Sequence, residues 1–202
     1  MSRPLPAPDP NVTPFEYVLP MVSILIGLAV GDLSLSLHRL LRARRRVRWD
    51  WLPLAAALLV LLLILEFWWA FYGIGRAEVW TRYWGFLILG AALISIFLLA
   101  SAALPDAIPD DEELDLASYY QENRRYFWTL FALFTVLALV LDLLVEADAV
   151  SVATGPLRAA PTVGFAALML SLAFVENRRY HAVMVLLLLT FFGWQWSQLR
   201  IG

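Results

Sequence analysis

Lysine and cysteine are both absent from the 202 residues. Without lysine the chain cannot form a Schiff base, run a Ser/Lys dyad or build a phosphate-binding P-loop. Without cysteine it has no disulfide, iron–sulfur cluster or thiol nucleophile, and its redox compartment leaves no trace. Charge is scarce as well, at 16% of residues, where a soluble domain carries roughly 25%. Apolar residues make up 61% against about 45–50% in soluble domains, and the mean hydropathy is +0.72. A water-soluble globule and a disordered chain are both excluded. A formal net charge of −2 exerts no overall pull on polyanions, so nucleic acid is not a partner. HExxH and GxSxG motifs are missing, and Gly31-Asp32 lacks the Gly-x-Gly-Asp of intramembrane aspartyl proteases because Ala29 stands in the first glycine's place. These absences weigh against an enzyme without deciding the matter, and no motif marks a catalytic residue, metal or cofactor.

What is present is a series of long apolar runs. A helix needs about 20 mostly apolar residues to cross a bilayer, and six segments qualify as an all-α, polytopic membrane bundle. They are Tyr17–Leu37, Leu52–Tyr72, Trp84–Leu104, Phe127–Val145, Pro161–Val175 and Tyr180–Trp196. The fifth is short and would borrow Leu157–Ala160 or thin the bilayer locally. Residues 1–14, with prolines at 4, 6, 8, 10 and 14, read as an extended tail, not as a signal peptide. The sequon-like Asn11-Val12-Thr13 carries no expectation of glycosylation. The membrane domain then covers 15–202.

Arginine placement sets the orientation. Arg39, Arg42, Arg44, Arg45, Arg46, Arg48, Arg124, Arg125, Arg178 and Arg179 fall on one side of this topology, against Arg3, Arg76, Arg82, Arg158 and Arg200 on the other. Ten against five puts the odd-numbered loops in the cytoplasm and both termini outside. The aromatic belts fit: Trp68, Trp69, Trp80, Trp84, Trp194 and Trp196 at the outer boundary, Trp49, Trp51 and Trp128 at the inner one. Arginine in place of lysine, with abundant Ala and Leu, points to a bacterial cytoplasmic membrane.

Glu122-Asn123-Arg124-Arg125-Tyr126 recurs letter for letter as Glu176-Asn177-Arg178-Arg179-Tyr180, each just cytoplasmic of an even-numbered span. With the fainter Arg46-Val47-Arg48-Trp49 it suggests three related helical hairpins; the plain alternative is that paired arginines and an aromatic mark any inner boundary. Glu66, Asp142 and Gln195 each stand about 25 Å above a basic residue of their hairpin. They would form one layer, either a mouth or ion site, or polar groups at the outer interface.

Asp32 lies deep in span one, and an ionisable group at that depth marks a site by default. Ser36 and Arg39 follow at i+4 and i+7, so a polar stripe descends toward the arginines. The carboxylate would bind a proton or cation, or pair with Arg125 or Arg179. Gly27-xxx-Gly31, Ala91-xxx-Ser95 and Ala167-xxx-Ser171 suggest that odd spans pack inside and leucine-dense even spans outside. In the acidic third loop (105–125), Asp110 and Glu113 resemble the start of a helix running into span four. That loop is placed to meet the Arg42–Arg48 loop, whose arginines also suit anionic lipid headgroups. His38 and His181 would offer a haem or metal pair only if spans one and six were neighbours; otherwise they are interfacial.

Two functions follow. One is a small transporter or channel for protons, cations or a small solute, using Asp32 with Glu66, Asp142 and Gln195. The other is a non-transporting subunit or scaffold that docks a partner through the arginine and acidic loops. The expected partners are the lipid bilayer, anionic lipids and further copies or subunits of a membrane complex.

Overall fold

A computed structural model of the chain describes residues 13–73, 82–108, 113–148 and 155–198. Six helices carry it: α1 (Pro14–Arg42), α2 (Trp51–Gly73), α3 (Tyr83–Ala103), α4 (Leu116–Asp148), α5 (Gly155–Phe174) and α6 (Arg178–Gln198). Four of them, α1 to α4, are long and apolar enough to cross a membrane, and the apolar part of α5, Ala160–Phe174, is shorter. As a whole, α5 does extend back through 157–160.

The helix ends follow local chemistry. Thr13, the last letter of the sequon-like triplet, is the N-cap of α1 and forms a reciprocal capping box with Glu16. Asp50 Oδ1 accepts from Leu52 N at 2.9 Å, closing the start of α2. The start of α4 corrects the sequence reading. Its cap is Asp115, whose Oδ1 accepts from Ala117 N at 2.9 Å; Asp110 lies outside the described residues. Residues 114 and 115 are held extended as strand β2 (Leu114–Asp115), paired in parallel with β1 (Val47–Arg48), so the helix cannot begin earlier. At 33 residues α4 is about 50 Å long and outruns the ~30 Å hydrocarbon layer.

Helices α1, α3, α4 and α5 form a row, α2 lies across α1, α3 and α4, and α6 packs on α2. The core is therefore not confined to odd helices as expected. In α2, Leu52, Leu59, Val60 and Ile64 are fully buried, as are Trp128 and Phe131 in α4. Large side chains fill the space between helices, where dispersion contacts accumulate. Most of the paired small residues do not: a Cβ added at Gly27 or Gly31 would meet nothing within 4 Å, and Ala91 and Ala167 are exposed, while Ser95 is buried. Trp128 is likewise no belt residue. It is wholly buried and stacks on Phe131 at 5.7 Å, whereas Trp49, Trp51, Trp68, Trp69, Trp84 and Trp194 are exposed. Trp80 lies outside the described residues.

The two Glu-Asn-Arg-Arg-Tyr copies occupy different backbone. Residues 122–126 are in the body of α4, while Glu176 and Asn177 lie in the turn before α6. Asn123 reaches sideways to the carbonyl of Ala102 at 2.7 Å, capping α3; Asn177 Oδ1 accepts from Arg179 N at 2.9 Å, capping its own helix.

Candidate functional site

Two polar places emerge within the helical bundle, and the sequence-derived set divides between them. The first is a cleft of about 580 Å³ between α2, α4, α5 and α6. Its walls are apolar, with Leu63, Phe67, Phe134, Phe165, Leu168 and Phe191 among them. The polar end is Glu66 of α2, whose Oε1 accepts a hydrogen bond from Gln195 Nε2 of α6. Thr135 is also in the lining, but its hydroxyl is engaged with the carbonyl of Phe131 at 2.9 Å. A smaller hollow of about 250 Å³ adjoins it, sharing Phe67, Ala70, Ala138 and Thr162, and is lined by Asp142. Glu66 and Gln195 thus meet in one hollow and Asp142 lines its neighbour.

The cleft exists because of how α2 and α6 are joined. They run parallel and are tied at both ends: Arg178 Nη2 donates to Asp50 Oδ2 at their starts, and Gln195 to Glu66 four turns on. Helices α4 and α5 pack closely along their length, but α5 and α6 do not. The α5–α6 pair is held at the turn, where the Ser171 and Tyr180 hydroxyls meet at 2.6 Å, and Phe165 and Phe191 approach to 6.4 Å.

The second place is the α1–α3 interface. Asp32 Oδ2 accepts from the Ser101 hydroxyl at 2.6 Å. One turn on, Ser36 donates to Asp106 Oδ1 at 3.0 Å, and Arg39 Nη1 donates to the Asp106 carbonyl at 3.1 Å. The polar stripe is therefore met by the C-terminal end of α3. Its partners are a hydroxyl and the segment after α3, not Arg125 or Arg179. Nothing in the spacing pointed to Ser101, since a serine 69 residues away becomes a partner only once α1 and α3 are neighbours.

On the arginine side, Arg48 pairs with Asp115 at 3.3 Å, so the first and third loops do meet. Arg124 pairs with Glu176, and Arg125 lies 3.9 Å from the same carboxylate. Arg42, Arg44, Arg45 and Arg46 surround a hollow of about 410 Å³.

His181 belongs to neither place, and it does not face His38, which is exposed on α1. It is fully buried, with Nε2 2.7 Å from the Val175 carbonyl and Nδ1 2.8 Å from the Tyr120 hydroxyl. A carbonyl only accepts, so Nε2 carries the hydrogen. Nδ1 then accepts from Tyr120, whose oxygen takes the Trp128 indole N–H at 3.0 Å. Every polar atom in this chain is satisfied by a neutral ring, and the network locks α4 to α6. Among the described residues no three His, Asp or Glu side chains gather as metal ligands would. No family model, no curated protein and no solved structure matches the chain.

Proposed function

We propose that this is a six-span protein of a bacterial cytoplasmic membrane, with both termini outside, that moves a small solute or cation through the α2–α4–α5–α6 cleft. One observation carries the reading: a carboxylate, Glu66, stands at the polar end of an otherwise apolar cavity of small-molecule size. Gln195 hydrogen bonds to that carboxylate, and Asp142 lines the neighbouring hollow, which supports a second acidic position for the solute. Asp32, hydrogen bonded to Ser101, supplies a second carboxylate nearer the cytoplasm. Arg42, Arg44 and Arg45 are exposed and suit anionic headgroups of the inner leaflet.

The scaffold reading is weaker, because the loops that would dock a partner already engage each other through β1–β2 and Arg48–Asp115. The deciding experiment is proton, sodium and potassium flux in proteoliposomes, read with pH and potential dyes. Wild type, Glu66→Gln and Asp32→Asn are compared. Loss of flux in Glu66→Gln with the fold intact supports the cleft. Loss in Asp32→Asn alone moves the route to the α1–α3 interface. Absence of flux from folded wild-type protein overturns transport of these ions.

A further inference from the structure

We propose that the cleft takes an amphipathic monocation: a molecule with a bulky apolar body and a single positive charge, delocalised or on a protonated amine. This rests on the reading of the cleft as a solute site and names the class of solute. Among the described residues, Glu66 is the only ionisable one in the lining, with no arginine or histidine beside it, and one amide N–H from Gln195 is the only hydrogen bond found to its carboxylate. A carboxylate in apolar surroundings is costly until a positive charge arrives beside it, so a cationic guest is favoured and an anionic one repelled.

The walls choose among cations. A hard ion such as Ca²⁺ needs six to eight oxygen ligands. The lining side chains among the described residues offer only the carboxylate, the Gln195 amide and the hydroxyls of Thr135 and Thr162, fewer oxygens than such an ion needs. In place of oxygens, five phenylalanines (Phe67, Phe134, Phe165, Phe191 and Phe192) line the space. Aromatic faces attract diffuse positive charge and bury an apolar body. The volume, about 580 Å³, falls within the roughly 300–1,000 Å³ of small-molecule sites. Access is from the side: Phe191 is 53% exposed on the outer surface of α6, at the loosely packed α5–α6 seam. An amphipathic cation already dissolved in the bilayer reaches the cleft without crossing water.

Tetraphenylphosphonium and tetraphenylborate have the same shape and opposite charge, and they make the test. Binding of each to the full chain in mild detergent is measured by equilibrium dialysis, for wild type, Glu66→Gln and, as a control far from the cleft, Tyr119→Phe. Saturable binding of the phosphonium is expected, weakened by about tenfold or more in Glu66→Gln and unchanged in Tyr119→Phe, with no saturable binding of the borate. Equal binding of both ions, or phosphonium binding indifferent to Glu66→Gln, overturns the proposal and leaves an apolar pocket for lipid tails. If Glu66→Gln does not fold, Gly164→Trp replaces it. Gly164 lines the cleft and a Cβ there meets nothing within 4 Å, so an indole has room to occupy the cleft from α5 and should abolish phosphonium binding; retained binding overturns the assignment. Phosphonium binding without flux keeps the site and removes transport, while ion flux without phosphonium binding removes the site's assignment and keeps transport.

Discussion

Arg124 in the first Glu-Asn-Arg-Arg-Tyr copy donates to Glu176, the opening residue of the second. The repeated letters are thus partners across the α4–α5 packing, not equivalent positions of equivalent hairpins. The burial is unequal: the Arg124 side chain is 10% exposed and Glu176 is 70% exposed. Removing the carboxylate strands a largely buried cation, although solvent at Glu176 moderates the loss. Glu176→Ala should lower stability by about 1–2 kcal/mol, and Arg125→Ala, an exposed side chain 3.9 Å away, by less than about 0.5 kcal/mol. Unfolding in sodium dodecyl sulfate, followed by circular dichroism, measures both. Equal losses would contradict this account.

The Trp128–Tyr120–His181 chain makes a sharper contrast between two neighbouring tyrosines. Tyr120→Phe deletes the hydroxyl that serves both the indole and the imidazole, leaving two buried polar atoms unpaired, at about 2–3 kcal/mol. Tyr119→Phe deletes a hydroxyl whose acceptor, the Ala102 carbonyl, keeps Asn123 as a donor. Its loss should stay below about 1 kcal/mol. The same unfolding assay separates them, and Trp128 emission should change only in Tyr120→Phe.

Asp32 is held by a neutral hydroxyl, and that decides what its substitution does to folding. Asparagine still offers an oxygen to Ser101, so Asp32→Asn should change stability by less than about 0.5 kcal/mol. Ser101→Ala leaves the carboxylate without its donor and should cost about 1–2 kcal/mol. Had the partner been Arg125 or Arg179, the ranking would be reversed, because Asp32→Asn would strand a guanidinium. Stability of the two variants in the same detergent settles the order.

Gly27 and Gly31 have open space where a side chain would go. Alanine at either position should leave the fold intact and add up to about 1 kcal/mol from helix propensity. If copies of the chain associate through this face, leucine at both positions should lower the assembled mass without unfolding the protomer. Light scattering of the purified protein reads the mass, and an unchanged assembly would exclude the α1 face from it.

Much of the architecture was legible because it follows from apolar run length and arginine placement. The helix positions and the pairing of Glu66 with Gln195 at one height follow from counting residues along rising helices, and the contact between the first and third loops from their lying at the same end of the bundle. What counting does not reveal is which helix lies beside which. Ser101 and Asp106 became partners of the α1 stripe only through the α1–α3 neighbourhood. Trp128 looked like a boundary tryptophan because three arginine-flanked segments share that pattern; its burial depends on α6 lying near α4. Small residues misled for a related reason. They permit close approach, but leucine and phenylalanine on α2 and α4 supply more contact area to whichever neighbour is present.

The double tie between α2 and α6 has a consequence for how the protein is made. Asp50 is translated 128 residues ahead of Arg178, and Glu66 is 129 ahead of Gln195. While the chain is being made, Asp50 has only the cap of its own helix and Glu66 waits for its amide. Every intermediate before α6 has the cleft without one wall, so the docking of α6 is the step that completes it.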